Sequence, residues 1–345
     1  CLYLVKYAKI FLSNNWLISF NRINLCNFQN QNFSILKPEL IKTKYYGHGK
    51  LLLTGEYAVL DGAKALGLPT KLGQKLVVKR TTSSDLIWES LDMKGKPWFE
   101  STISLFDFSA VTTDNQQISD YLQKVLKNAV RLNSEFLSQW NGFKIETQLE
   151  FPLDWGLGSS STLIYLIAEW AEVNPLLLYF KTEDGSGYDV ACAFADGPVE
   201  YINSPEEVSY TEVDFNPKFK DQLYFIHLGK KQDTKLGIKE YLKAVKNKAN
   251  LVKSITKITE DIRSATTLSQ FRNLIENHED LIASHTGFSK VKDMLFSDFD
   301  GSVKSLGAWG GDFVLAASDG GSEKVRKYFA DKGYNTFFAY KELVL

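Results

Sequence analysis

The stretch "WGLGSSST", residues 155–162, sets two glycines and three serines directly before an apolar run, Leu163 to Ala171. Residues this small and polar cannot pack a core. Their chemistry is that of an anion site. A helix N-terminus offers unpaired N–H groups and the positive end of a dipole. Glycines let a phosphate come close to the backbone, and hydroxyls can donate to it or hold a metal. The same stretch also describes a helix capped by Ser or Thr behind a turn. Alone, it leaves both readings open.

The rest of the chain narrows the chemistry around it. The sequence has 345 residues, room for two domains, and a formal net charge of -1. A nucleic-acid surface would need a basic excess, which is absent. The 3 cysteines, Cys1, Cys26 and Cys192, show neither metal-ligand spacing nor a disulfide framework, which fits a reducing cytoplasm. Four histidines, His48, His227, His278 and His285, include no His-x-x-x-His pair, which argues against a zinc enzyme. Residues 1–37 are rich in Asn, Phe, Ile and Leu and carry no motif. Lys6, Lys9, Asn14 and Asn15 interrupt their apolar run, against a membrane-spanning helix. That segment is set apart as an extension outside the functional fold.

The elements that must position the Gly/Ser stretch follow from periodicity. "FKIETQLEFP" alternates and ends at Pro152, a strand leading into the loop. A helix is expected from about Ser160. "KLVVKRT" and "SDLIWESLD" read as strands. "ISDYLQKVLKNAVRLNSEFL" has apolar residues at helical spacing. After about Ser204 the pattern restarts. "DQLYFIHLG", "GDFVLAAS" and "NTFFAYKEL" read as strands, with helices over "GIKEYLKAVKNKANLVKSITKITEDI", "LSQFRNLIENHEDLIASHTG" and "GSEKVRKYFADKG". Strands and helices mix without steady alternation, so two α+β domains are expected, 38–203 and 204–345.

Three glycine-containing segments stand out: "GHGKLLLTGEYAVLDG", "FPLDWGLGSSST" and "KSLGAWGGDFVLAAS". Their order and spacing resemble the GHMP kinases, the family of galactokinase, homoserine kinase, mevalonate kinase and phosphomevalonate kinase. The most specific match is Pro152 to Ser160, which follows the family's phosphate loop, Pro-x-x-x-Gly-Leu-Gly-Ser-Ser, throughout. It is not a Walker loop, since no Gly-Lys-Ser/Thr follows. The resemblance implies a two-domain α+β fold, the GHMP kinase fold, in which an N-terminal domain of a type shared with a ribosomal protein precedes an α/β C-terminal domain. It implies ATP and Mg²⁺ as cofactors, with Gly156, Leu157, Gly158, Ser159, Ser160, Ser161 and Thr162 around the nucleotide and Ser160 at the metal.

Further roles carry over residue by residue. Lys50 matches the family lysine near the reacting phosphate, with His48 standing where the family often has Pro. Asp189 in "GSGYDVA" matches the proposed catalytic base of the mevalonate-type kinases. A carboxylate beside a lysine can accept a hydroxyl proton as the phosphoryl group moves. The bland alternative is an Asp capping a helix that begins near Val190. Glu56, Lys231, Thr234 and Gly310 are assigned to substrate, although an exposed charged loop explains Lys231 and Thr234 as well. None of Glu169, Glu172 and Glu183 aligns with the family's metal-binding Glu. Trp309 interrupts the third segment and either covers a ligand or packs as an aromatic. The expected activity is phosphoryl transfer from ATP to mevalonate or phosphomevalonate. A sugar or homoserine-type kinase and a non-catalytic nucleotide binder are the alternatives. The expected partner is a small molecule, with no nucleic acid or membrane, for a monomer or homodimer.

Overall fold

Strand β1 (Lys42–Thr54) is answered by a long β2 (Ala65–Arg80), and the two pair antiparallel from Lys42–Lys79 to Thr54–Leu66. The computed structural model describes residues 42–345 apart from 139–140, 231–233, 246–247, 308 and 310, and of Thr234 and Lys235 only the backbone. The expected extension, 1–37, lies outside the described residues. Between β1 and β2 runs a short 3-10 turn, Ala58–Asp61. The register shifts between His48 and Gly49, where a Cβ on Gly49 would fall 2.5 Å from the Thr70 hydroxyl. That close approach requires the glycine before Lys50.

Around this pair grows an eight-stranded sheet. It adds β3 (Asp85–Leu91), β4 (Pro97–Ser104), β5 (Ala110–Thr113), β6 (Phe143–Leu149), β7 (Val199–Asn203) and β8 (Val208–Glu212). The order is β5-β4-β3-β6-β2-β7-β8, with β1 on β2; β3 and β6 run parallel and the other pairs antiparallel. Alternation decides the faces: Leu86, Trp88 and Ser90 of β3 point inward. Four helices belong to this half: α1 (Gln116–Leu132), α2 (Ser159–Trp170), α3 (Pro175–Thr182) and α4 (Tyr188–Phe194). The Asn115 side chain caps α1 by accepting from the Ile118 N–H, and Leu122, Val125, Leu126 and Ala129 form its buried stripe.

The second half is built on four antiparallel strands, ordered β10-β11-β9-β12. They are β9 (Leu223–His227), β10 (Ser302–Leu306), β11 (Phe313–Ala317) and β12 (Phe337–Ala339). Every residue of β9, β10 and β11 is buried, so both faces of this sheet are covered. Its helices are α5 (Thr234–Ala244), α6 (Lys248–Ser264), α7 (Leu268–Thr286), α8 (Val291–Leu295), α9 (Ser322–Asp331) and α10 (Tyr340–Leu343). The mixed α+β architecture agrees with the sequence reading. "NTFFAYKEL" is not one strand: only Phe337–Ala339 pairs, and α10 follows, with the Glu342 carboxylate accepting from the Ala339 N–H. Strands β4, β5, β8 and β10 and helices α3 and α8 add to the expected elements.

Each sheet has a buried cluster of its own, and a third cluster joins them. Leu51, Leu53 and Leu68 share one buried cluster with Phe225, Phe271 and Leu315. Val344 and Leu345 border it: Val344 bridges to Thr70 and the Leu345 N–H donates to the Pro69 carbonyl at 3.0 Å. No helix among the described residues is long and apolar enough to cross a membrane.

Candidate active site

The Gly/Ser loop is held by its leucine. Leu157 is fully buried in the shared cluster, and its carbonyl accepts the Lys50 N–H at 3.0 Å. On either side the backbone is left-handed, with φ 67° at Gly156 and 91° at Gly158. Glycine adopts that conformation without the steric penalty other residues meet. Gly158 is the N-cap of α2, and no side chain caps this helix. The cap by Ser or Thr that competed with the anion reading is therefore absent, and the helix mouth keeps its N–H donors for another group. Ser159, Ser160 and Ser161 line the adjoining cleft. Two loop residues expected at the nucleotide lie elsewhere. The Leu157 side chain points into the core. The Thr162 side chain is buried, and its hydroxyl donates to Gln74 Oε1 at 2.6 Å.

Lys50 and Asp189 meet across the cleft wall. Lys50 Nζ lies 3.2 Å from Asp189 Oδ1, with both side chains largely shielded from solvent. It also donates to the Tyr188 hydroxyl at 2.9 Å. Asp189 sits in the first turn of α4, whose N-cap is Gly187 with φ 88° and no side-chain cap. The carboxylate is therefore not a capping group; it is free to face the ammonium. Tyr188 was not anticipated. Burial first, and then the Asp189 charge, push its phenol well above the ordinary range, so it remains a neutral donor and acceptor.

These parts line one cleft of about 720 Å³. Its walls also carry Glu183, Asp184 and Asp312. Asp312 comes from the second half, at the start of β11. Its carboxylate packs on the Gly/Ser loop so closely that a Cβ on Gly156 would fall 1.8 Å from Oδ2. Only its place beside Gly310-Gly311 hinted at it. A side cavity of about 240 Å³ adjoins the cleft at Ser159, Ser160 and Tyr121. Trp88, Trp98, Phe99 and Ile118 give it apolar walls. The buried Trp98 Nε1 has no hydrogen-bond partner.

Glu56 does not reach the cleft. Its carboxyl is fully buried, holds Lys304 Nζ on Oε1 and stands 3.1 Å from His278 Nε2 on Oε2. The next residue, Tyr57, does line the cleft. Its hydroxyl accepts the Trp309 N–H at 2.9 Å, and its ring stacks on Tyr241 with centroids 5.4 Å apart. Of the two readings of Trp309, packing is what the structure has: Nε1 donates to the Ser289 carbonyl at 2.7 Å and the ring lies against Phe288. Lys231 and Gly310 lie outside the described residues. Thr234 opens α5, and its side chain is likewise outside the description.

No protein-family model matches the chain, and no curated protein sequence matches it. Solved structures do. Mevalonate kinase of Methanococcus jannaschii is similar at 16% identity, over 88% of this chain and 98% of that one, with a TM-score of 0.62. Streptococcus pneumoniae phosphomevalonate kinase in complex with phosphomevalonate and AMPPNP is similar at 18% identity, over 87% of this chain and 99% of that one, with a TM-score of 0.65. Lactococcus lactis galactokinase complexed with galactose is similar at 14% identity, over 86% of this chain and 92% of that one, with a TM-score of 0.62. At such identities the likeness speaks for the arrangement of the chain: this protein has the fold of the GHMP kinases.

Proposed function

We propose that the protein is an ATP-dependent small-molecule kinase that transfers the γ-phosphate to a hydroxyl or phosphate of a small metabolite, with mevalonate or phosphomevalonate as the acceptor. One observation carries this reading: the Lys50–Asp189 pair faces the same cleft as an uncapped helix mouth. The first supplies a proton acceptor beside a cation. The second supplies donors for phosphate oxygens. The side cavity suits a flat heteroaromatic base, with three aromatic walls and the unused Trp98 donor. In this reading 38–203 is the nucleotide-binding domain and 204–345 the C-terminal domain, with the acceptor between them.

The steps belong to named atoms. Asp189 takes the proton of the acceptor hydroxyl as its oxygen bonds to the γ-phosphorus and the bridging oxygen leaves with ADP. Lys50 offsets the negative charge on the transferring group and keeps the Asp189 carboxylate oriented. Ser159, Ser160 and Ser161, with the first amides of α2, bind and orient the phosphates. Lys231 and Thr234 are proposed to contact the acceptor, and Gly310 to border it.

The donor set fits a hard cation. No group of three or more His, Cys, Asp or Glu among the described residues forms a metal cage, but the cleft offers the Ser160 hydroxyl and carboxylates. Mg²⁺ is held in that manner, by one or two protein oxygens together with substrate phosphates. Ser160 would hold it, and when bound it supplies charge neutralisation across the phosphates. A panel of mevalonate, phosphomevalonate, homoserine, galactose and other hexoses, each with ATP and Mg²⁺, tests the proposal. ADP release with a mevalonate-type acceptor is expected. Turnover of a hexose alone would reassign the acceptor. AMPPNP binding without turnover of any acceptor would leave a nucleotide-binding protein.

A further inference from the structure

Behind the cleft four ionisable side chains meet, shielded from solvent. Glu56, His278 and Lys304 have fully buried side chains, and that of Glu279 is 3% exposed. Lys304 donates to Glu56 Oε1 and to the Ser305 carbonyl, the latter at 2.8 Å, and stands 3.7 Å from Glu279 Oε1. The Gly55 N–H donates to His278 Nε2 at 3.1 Å. That nitrogen is thus an acceptor, and it also faces Glu56 Oε2 at 3.1 Å. One ammonium, a neutral imidazole and two carboxyls are electrically balanced when the two glutamates together keep one proton, which leaves Lys304 paired with the Glu56 carboxylate and the proton on Glu279.

Such a cluster is expensive to bury. A well-packed apolar replacement of a buried ion pair is often as stable or more so. The location suggests what the cluster supplies instead. Lys304 and Ser305 lie in the second half of β10, two or three positions before Gly307, which lines the cleft together with Asp312. The Gly307 amide lies close enough to favour the charged form of Glu56, and the Ser305 amide does so for Glu279. On the other side, Glu56 sits between Gly55, bound to His278, and Tyr57, bound to the Trp309 amide. Both walls of the cleft are therefore tied to the same buried charges, one residue back from Tyr57 and three back from Gly307.

We propose that Glu56 and Lys304 are positioning residues, whose buried contact fixes Gly307 and Trp309 against the Gly55–Tyr57 turn and so sets where Asp312 meets the glycine loop at Gly156. The proposal rests on the kinase reading only for its activity readout. The paired replacement Glu56→Gln with Lys304→Met removes both charges and keeps the volume, so it avoids the unpaired ammonium that Glu56→Gln alone would leave. The test compares wild type and the double variant by thermal melting, by hydrogen exchange of the 304–312 peptide, by AMPPNP affinity and by turnover. The double variant should melt near the wild type and exchange faster in that peptide alone. Its kcat should fall about 10²-fold, the scale expected when the loop that orients the phosphates is displaced by about 1 Å. Wild-type exchange and wild-type kcat in the double variant would overturn the proposal. So would a double variant that does not fold, since the pair would then serve folding. If the wild type itself binds no AMPPNP, the kinase reading fails, while the exchange comparison still decides the positioning role.

Discussion

Gly156 and Asp312 lie face to face across the two halves of the chain, 156 positions apart in sequence, and leave no room for a side chain at the glycine. A Cβ there would fall 1.8 Å from Asp312 Oδ2 and 2.4 Å from its Cγ. The φ of 67° adds a second constraint, since left-handed backbone costs an L-residue about 1–2 kcal/mol. Gly156→Ala should therefore lower the melting temperature and weaken AMPPNP binding. In an Asp312→Gly background, which also removes the Cβ 2.9 Å away, the same change should be milder, with only the backbone penalty of about 1–2 kcal/mol remaining. Equal effects in both backgrounds, measured by thermal denaturation, would show that the Asp312 contact does not matter.

Asp189 separates an enzyme from a binder. Asp189→Asn keeps shape and removes the proton acceptor. It should reduce kcat by about 10²–10⁴-fold, the usual range for a general base. Nucleotide Kd should stay within about threefold, because the effect lies in the transition state. Steady-state kinetics and calorimetric titration with AMPPNP measure the two. Unchanged turnover would remove Asp189 from the chemistry.

Ser160→Ala should weaken use of Mg²⁺-ATP more than acceptor binding. The hydroxyl lines the cleft at the mouth of α2, where it can reach a phosphate oxygen or the metal. AMPPNP titrations with and without Mg²⁺ check this directly. Loss of acceptor affinity with intact nucleotide binding would assign the loop to the other substrate.

The buried glutamates make stability pH-dependent. Burial raises the Glu279 carboxyl from 4.5 to about 8, against the opposing pull of Lys304. The folded state then holds the proton more tightly than the unfolded chain. The stability from this group is complete below about 4.5 and is lost as the pH rises toward about 8. His278 acts in the opposite direction: burial lowers its pKa well below 6.5, so stability from it falls as the solution becomes acidic. Glu279→Gln isolates the first effect. Its melting temperature should decline less than that of the wild type between pH 5 and pH 8. Parallel curves would mean that Glu279 is ionised in the folded protein.

The local part of the site was legible in the sequence, and the part made by distant pairings was not. "WGLGSSST" announced a helix mouth because glycine and serine at that point have few other uses. Lys50 and Asp189 were found through their motifs, and the structure brings them together over 139 positions. Glu56 was assigned to substrate because its neighbours belong to a motif. Nothing local shows that its partner is Lys304, 248 positions later, or that both side chains are buried. Asp312 and Tyr188 share that difficulty: an acid after two glycines acquires a role only once the two halves are docked, and a tyrosine before an acid only once α4 packs on β1 and meets Lys50. Thr162 is the reverse case. It continues the serine run in sequence, but at that point the helix turns its hydroxyl inward to Gln74.

The contact of the chain's last residues with β2 bears on how the protein is made. Thr70 pairs with Val344, and the Lys71 ammonium binds the Lys341 carbonyl, 270 positions away. During synthesis β2 would leave the ribosome long before the strand and helix that cover it. Contacts this distant in sequence are slow to form, because a large loop must close before they add stability. The nascent first half would expose Leu66 and Leu68, both fully buried in the finished protein, for most of its translation. Its yield in a cell should therefore depend on chaperones that shield that apolar strand until residues 341–345 arrive.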